Sequence, residues 1–382
     1  MSLSIFPVIL AGGASSRLWP ASGRERPKWD LRLFGRNQAP ASGTGKGQPQ
    51  SLLEGAWERA RGVAPASDCF VVAGSAQADL IRHSLPELPA ANLLIEPEPR
   101  DTAGAVAYAS AAILRRGSAS KGADQVMFVL PGDHVIAQVE RFKRCALTAA
   151  QAACQLQALM TFGIVARMPA TAYGYIHRGE KVSVVDAAAD APAVYKVRQF
   201  REKPDRATAE QYVSSGEYYW NGGIFLWQMS TLVSEFRAQL PAHAAMIDAL
   251  TAVPGGAAAT GGADWQAAAR QHFPELKKTS IDFGIMEHAK SVAMVTADFD
   301  WDDIGSWSAV AGHLESSQGN AIGPATQVLP VEAKGNLVFA PGKRVALIGV
   351  EGLAVIQSGD DILVCRLDRD QDVKKISEMA KK

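Results

Sequence analysis

FPVILAGGASSRLWPASGRERPK, residues Phe6 to Lys28, is the stretch whose reading decides the fold. Phe6 to Leu10 is an apolar, β-rich run of the kind that forms a buried strand. It breaks at Ala11-Gly12-Gly13-Ala14-Ser15-Ser16, a turn of small residues with no bulk to hold off a ligand. Such a turn lets backbone N–H groups approach phosphate oxygens, and the dipole of a following helix would add positive potential. Arg17 can fork onto phosphate oxygens, and Lys28, after Pro27, can supply a mobile point charge. Taken alone, the Gly-Gly pair also fits an ordinary strand-to-helix turn with two surface cations.

Outward from this turn, strands and helices alternate. SLLEGAWERA from Ser51, Gln77 to Leu85, Thr102 to Arg115 and Glu140 to Leu156 read as helices. CFVVAG, NLLIE, QVMFVL and LMTFGIVA read as strands between them. Apolar strands alternating with helices predict an α/β domain whose mixed, mainly parallel sheet is covered on both faces. Ligands of such sheets bind beyond the carboxyl ends of the strands, where Gly12-Gly13 and Pro131-Gly132-Asp133 fall. Gly35 to Gln50 predicts a flexible surface loop. Its GTGKG is not a Walker loop, because Pro40 stands at the first glycine position and Gly47 replaces the magnesium-holding Ser/Thr. Pro254 to Ala263 reads as another loop. Beyond about Ser316 short β-rich runs (NLVFA, RVALIGV, LAVIQS, DILVCRL) are punctuated by turns, predicting a small all-β appendage closed by a charged helix from Asp370. Periodicity leaves hairpin sheet and β-solenoid open. The expected division is 1–315 and 316–382.

Composition narrows the function. Lys+Arg and Asp+Glu both number 39, which removes the broad electrostatic case for a nucleic-acid or anionic-membrane partner. Cys69, Cys145, Cys154 and Cys365 lack CxxC or zinc-finger spacing and read as reduced thiols of a cytoplasmic protein. No basic n-region precedes the first apolar run, so it reads as a strand rather than a signal peptide, and no stretch approaches a membrane span.

Six further stretches carry side chains suited to chemistry. In Leu130-Pro131-Gly132-Asp133-His134-Val135-Ile136, Asp133 ends a strand across from the phosphate turn, a place suited to holding magnesium; a lone aspartate there would otherwise serve the turn. Asp298 to Trp307 puts four carboxylates (Asp298, Asp300, Asp302, Asp303) in six residues, which need solvent or a shared cation. Phe200-Arg201-Glu202-Lys203-Pro204 sets a Glu-Lys pair before a proline, which taken alone reads as a surface strand end. Tyr173-Gly174-Tyr175-Ile176 and Trp220-Asn221-Gly222-Gly223-Ile224-Phe225 place aromatics and an amide beside glycines. That suits a polyhydroxylated ring, although each alone also reads as an ordinary core strand. Glu96-Pro97-Glu98-Pro99-Arg100-Asp101-Thr102-Ala103 completes the set.

Taken in their order along the chain, the motifs resemble those of the sugar-phosphate nucleotidyltransferases, from Pro7 to about Lys375, most nearly the mannose-1-phosphate guanylyltransferase branch. The signature G-G-x-G-x-R-L then P-K matches Gly12 to Leu18 with Pro27-Lys28. L-P-x-D-H-x-I, F-x-E-K-P, W-x-D-[IV]-G-x-W and E-P-x-x-R-N-T-A match the later stretches. Ser15, Asp101, Gly104 and Gly222 stand where the pattern has glycine, asparagine, proline and serine. The resemblance implies a Rossmann-like, GT-A-like domain with a short left-handed β-helix behind it. It implies GMP transfer from GTP to mannose 1-phosphate, giving GDP-mannose and pyrophosphate, with magnesium on Asp133 and Asp303. Arg17 and Lys28 would act on the phosphates, with Leu10, Ala11, Gly12, Gly13, Ser15, Arg100, Thr102 and Gly132 around the nucleotide. Tyr173, Gly174, Glu202, Lys203 and Asn221 would hold the sugar phosphate. His134 reads as a structural hydrogen-bonder. The chain ends without room for the isomerase domain of longer members and reads as monofunctional; a homodimer is left open. Another acceptor, such as a manno-heptose 1-phosphate, or a non-catalytic sugar-nucleotide-binding regulator are the alternatives.

Overall fold

The fold begins with β1 (Leu3–Leu10), whose residues from Phe6 to Ile9 are buried without alternation, as in a strand covered on both faces. The computed structural model describes residues 3–13, 16–23, 26–33, 50–116, 124–185, 187–297 and 299–380. Ser15, Asp298 and all but Gln50 of the expected 35–50 loop lie outside the described residues. Contacts divide the chain into two units. One comprises Met1–Ala11, Arg59–Pro131 and Val139–Phe299; the other comprises Gly12–Glu58, Gly132–Gln138 and Asp300–Lys382.

The first unit is built on a nine-stranded sheet. After β1 come β2 (Phe70–Gly74), β3 (Leu93–Glu96), β4 (Asp124–Pro131), β5 (Leu159–Val165), β6 (Tyr175–Val182), β7 (Val194–Arg201), β8 (Tyr218–Gln228) and β9 (Val292–Ala297). Their spatial order is β3-β2-β1-β4-β8-β5-β9-β7-β6, with β8 also pairing β6. Strands β7 and β8 run against the other seven, so the sheet is mixed: most strands share one direction, while the pairings are four parallel and five antiparallel. Pro7 is tolerated inside central β1 because the β2 ladder starts only at Val8. On one face the helix Asp101–Arg116 packs through its alanines against Pro241–Thr251. Tyr108, Trp265 and Phe273 fill the space beside them in edge-on and tilted contacts. The helix Val139–Leu156 packs on β8, β9 and β5, its Phe142 meeting Phe128, Phe162 and Phe299. The expected loop at 254–263 contains a 3-10 turn, Gly256–Ala259, held by Arg115, whose guanidinium donates to carbonyls from Leu250 to Gly256.

The second unit carries the β-helix-like domain. Asn320–Ile322, Leu337–Phe339 and Leu353–Ser358 stack in parallel, and Gln327–Val331 pairs in parallel with Arg344–Ile348 on another side. The five-stranded sheet ends in two antiparallel partners, Glu315–Ser317 and Asp361–Arg366. Each coil enters its strand through a left-handed glycine: Gly319, Gly335 and Gly352, with φ of 76°, 67° and 65°. Inside, Asn320 and Asn336 are buried at 0% and 1% exposure and bond in a ladder. Asn336 donates to Asn320 Oδ1 (2.9 Å) and to the Val350 carbonyl (3.0 Å), and its Oδ1 accepts from Leu353 N–H (2.9 Å). The closing helix is Val373–Met379, after a 3-10 segment Leu367–Asp372.

Candidate active site

In the second unit the residues of three distant motifs meet at one ammonium. Pro27 is extended (φ −67°, ψ 158°) and opens a 3-10 turn, Lys28–Asp30, whose Trp29 is buried at 1% exposure. That anchor points Lys28 inward, leaving its side chain 7% exposed. Lys28 Nζ lies 2.9 Å from Asp133 Oδ2 and also donates to the backbone carbonyl of Asp303. A buried ammonium is tolerated only with such partners. Burial would raise the Asp133 pKa, but the Lys28 ammonium and the His134 ring overcome it and hold the carboxyl below its usual value.

The two acidic motifs are joined by a short antiparallel ladder, Val135–Ile136 against Trp301–Asp302. Trp301 Nε1–H donates to His134 Nδ1 at 3.1 Å with the rings edge to face, leaving His134 Nε2 3.9 Å from Asp133 Oδ1. The crowded carboxylates are separated by distinct duties. Asp302 Oδ2 pairs with His313 Nε2 at 2.9 Å, and its Oδ1 accepts from Ile304 N–H at 2.8 Å. Ile304 is β-branched with φ 47°, a strained conformation held by that bond and by full burial of its side chain. Beside Asp303, a Cβ added to Gly305 would lie 3.2 Å from Asp303 Oδ1 and 3.7 Å from an Arg17 guanidinium nitrogen. Arg17, Asp303 and Gly305 thus share one space.

Among the described residues no group of three or more His, Cys, Asp or Glu could hold a metal by itself. Two oxygen donors, Asp133 and Asp303, suit a hard cation that takes its remaining ligands from water and phosphate, as magnesium does. Gly12 and Gly13 have open space where a Cβ would stand, and Gly13 needs its hydrogen because φ is 91°. The turn is followed by one 3-10 turn, Ser16–Leu18, not by a long helix. That single turn does not supply the expected helix dipole, since a macrodipole requires several aligned peptides.

The first unit holds the remaining motif residues. Ala11 N–H donates to the Val72 carbonyl (2.9 Å), continuing the sheet beyond Leu10. Arg100 is held by Glu98 (2.7 and 3.2 Å) and donates to the Pro274 carbonyl, while Thr102 Oγ1 accepts from Ile281 N–H at 2.8 Å. Both polar groups are thus engaged within the unit. Asp101 takes φ 63° at the start of its helix, a conformation Asp and Asn tolerate. A Cβ on Gly104 would meet Arg100 Cβ at 2.7 Å, which explains glycine at that departure.

Tyr173, Gly174, Glu202 and Asn221 come together near the ends of β6, β7 and β8. Asn221 N–H donates to the Gly174 carbonyl (2.8 Å), and Tyr173 packs edge-on against Trp220. A Cβ on Gly174 would stand 2.5 Å from Glu202 Oε2. Lys203 pairs with Glu202 at 2.7 Å and adopts φ 43°, another strained position. Gly222 fits because a Cβ there would lie 3.2 Å from Ile164. Sequence reasoning missed Asp282, whose Oδ1 accepts from Asn221 Nδ2 at 2.6 Å. Burial pushes its carboxyl up to about 6; the Asn221 bond opposes this and the charge of Glu202 adds to it. The one available signal was a single carboxylate inside the otherwise apolar run IDFGIM.

The class defined by this fold and these motifs is a known one. The nucleotidyl transferase family model matches residues 45–316, and a model described as a MannoseP isomerase/GMP-like beta-helix domain matches 326–379. The chain belongs to the nucleotidyl transferase family, with a β-helix domain of that second kind. A mannose-1-phosphate guanylyltransferase of Escherichia coli is 36% identical over 380 residues, which is 99% of this chain and 74% of the relative. The xanthan biosynthesis protein XanB of Xanthomonas campestris pv. campestris is 36% identical over 382 residues, 99% of this chain and 73% of its own. The crystal structure of a mannose-1-phosphate geranyltransferase from Thermus thermophilus matches with TM-score 0.81 and 29% identity, covering 100% of both chains.

Proposed function

We propose that this protein transfers GMP from GTP to mannose 1-phosphate, releasing pyrophosphate and forming GDP-mannose. The observation that carries the reading is the Lys28 ammonium, buried against the Asp133 carboxylate and the Asp303 backbone from motifs far apart in sequence. Joined to the relatives' names, it supports phosphoryl-group chemistry rather than mere binding.

The sugar-phosphate oxygen would attack the α-phosphorus in line with the departing pyrophosphate, so no protein nucleophile is required. Arg17 and Lys28 would hold the GTP phosphates and oppose the charge that builds up on them. Gly12 and Gly13 would let backbone N–H groups approach, with Arg100, Thr102 and Gly132 around the nucleotide. Glu202 and Asn221 would take sugar hydroxyls beside Tyr173 and Gly174, and Lys203 the sugar phosphate. Asp133 and Asp303 would hold a divalent ion, which we take to be magnesium; when bound it neutralises phosphate charge. Catalysis on this reading is positioning plus charge stabilisation.

We assign the chemistry to 1–315 and the β-helix-like part to 316–382, and place the protein in the cytoplasm. Among the described residues Cys69, Cys145, Cys154 and Cys365 form no disulfide, and no helix is long and apolar enough to cross a membrane. The test is pyrophosphate release from a panel of nucleoside triphosphates and sugar 1-phosphates, including glucose and manno-heptose phosphates. Mannose 1-phosphate should be preferred to glucose 1-phosphate by roughly tenfold or more, since a hydroxyl in the wrong position leaves polar groups unpaired. Glu202→Gln should erode that preference more than it harms GTP use. Equal kcat/KM for the two sugars would refute the mannose assignment.

A further inference from the structure

Asn221 can make four hydrogen bonds through its side chain, and three are accounted for. Its Oδ1 accepts from Gly223 N–H at 3.2 Å and from the Thr161 hydroxyl at 3.3 Å, and Nδ2 donates one proton to Asp282. A flipped amide would set its N–H groups against the Gly223 N–H, so this orientation is fixed. Among the described residues one Asn221 N–H is left over.

Asp282 is in the opposite condition. An ionised carboxylate accepts about four hydrogen bonds, and among the described residues Asn221 is its side-chain donor. The carboxylates whose charge it feels are Glu202 and Glu287, and burial compounds their repulsion. Among the described residues these acids form no cluster of three or more that could hold a metal. Nor is Asp282 placed by accident of a loose loop. It opens a π-helical turn, Asp282–Met286, with Ile285 and Met286 buried. Gly284 leaves no room for a Cβ, which would meet Thr279 Cγ2 at 2.9 Å. The segment before it is pinned to the helix at Asp101 by Thr102, and Ala103 N–H donates to the Thr279 carbonyl.

A rigid, partly accessible carboxylate short of donors, beside a second carboxylate and an amide N–H to spare, matches vicinal ring hydroxyls, each of which donates and accepts. We propose that Asp282 is a sugar-binding residue whose carboxylate accepts from a ring hydroxyl of the sugar 1-phosphate and thereby helps choose the acceptor. The inference rests on the functional reading above and extends it to a residue outside the recognised motifs.

The experiment is a steady-state comparison of wild type and Asp282→Asn. Its substrates are mannose 1-phosphate and its series of singly deoxygenated analogues, with KM for GTP and thermal melting as controls. The variant should lose roughly ten- to hundredfold in kcat/KM for the sugar phosphate, with KM for GTP within about twofold. One deoxy analogue should be penalised in wild type but no further in the variant, a pattern that a purely structural role would not give. Equal losses across all analogues, or unchanged discrimination, would overturn the proposal. If Asp282→Asn does not fold, Asp282→Glu keeps the charge while displacing the carboxylate, and unchanged discrimination there overturns it equally. If wild type prefers another sugar 1-phosphate, the mannose reading falls and the inference is decided on that sugar's deoxy series. If calorimetry shows that no sugar 1-phosphate binds, both fall.

Discussion

Gly174 offers the sharpest structural perturbation of the acceptor side. Its φ is not in the left-handed region, so alanine is acceptable to the backbone and the effect of Gly174→Ala is steric. The new Cβ would stand 2.5 Å from Glu202 Oε2 and 3.5 Å from Asn221 Cβ. An ordinary contact begins near 3.4 Å, so the carboxylate has to retreat by about 0.9 Å while Asn221 stays where it is. Glu202 has room to do so, being 27% exposed and ion-paired with the exposed Lys203. Stability should therefore change little. Recognition should not be spared, because a misplacement near 1 Å can cost up to about a hundredfold in rate. We expect kcat/KM for the sugar 1-phosphate to drop roughly ten- to hundredfold, about 1.4–2.7 kcal/mol, with KM for GTP unchanged. Pyrophosphate release under initial-rate conditions reads both constants. A folded Gly174→Ala protein with wild-type kcat/KM would show that Glu202 does not touch the acceptor.

Other substitutions probe the rest of the molecule. Asp133→Asn and Asp303→Asn should each remove most metal-dependent turnover while leaving circular dichroism unchanged; near-normal rates in either would exclude that residue as a ligand. Lys28→Ala should lower kcat and raise KM for GTP together, because the charge opposing the phosphates is lost, and unaltered kinetics would return Lys28 to a structural role. His243 is 1% exposed with an unpartnered Nε2, and burial lowers its pKa to about 4. The folded state thus binds fewer protons than the unfolded one between about pH 6.5 and 4, and stability falls as pH drops through that window, by roughly 3 kcal/mol in all. His243→Phe, stacking on Phe236, should flatten this acid-side loss in melts from pH 4 to 7; an unchanged slope would discount the histidine. Asn336→Ala should leave the Val350 carbonyl and Leu353 N–H unpaired and cost about 2–5 kcal/mol, read as a lower unfolding midpoint.

How much of this was legible in the sequence differs by region for physical reasons. The strand-helix alternation from Ser51 to Val165 was readable because burial on both faces leaves near-continuous apolar strands. The reversed directions of β7 and β8 were not, since side-chain alternation is the same for parallel and antiparallel neighbours. In the acidic run the motif singled out Asp303 by pattern alone; the structure adds that Asp302 is occupied by His313 and Ile304. Asp282 showed only as a lone carboxylate in an apolar run, because its meaning comes from the Asn221 amide across the fold. The coil repeat was visible but overlooked. GNAI at 319–322, GNLV at 335–338 and GLAV at 352–355 place a glycine at each turn, followed twice by asparagine. Hairpins would not repeat a turn glycine and a buried amide at that spacing.

The two reversed strands that border the coil stack bear on self-association. A stack of parallel coils presents at each end an open ladder that another chain could extend, the geometry of fibrous polymerisation. Here Glu315–Ser317 and Asp361–Arg366 fold back as hairpin partners and occupy both ends of the five-stranded sheet. The outward strand at one end is wholly exposed and polar, Glu315, Ser316 and Ser317, and the other begins and ends on the charged Asp361 and Arg366. Any chain docking there would meet a strand of opposite sense to the coils. Parallel addition of a like coil to this five-stranded sheet is thereby disfavoured at both of its edges.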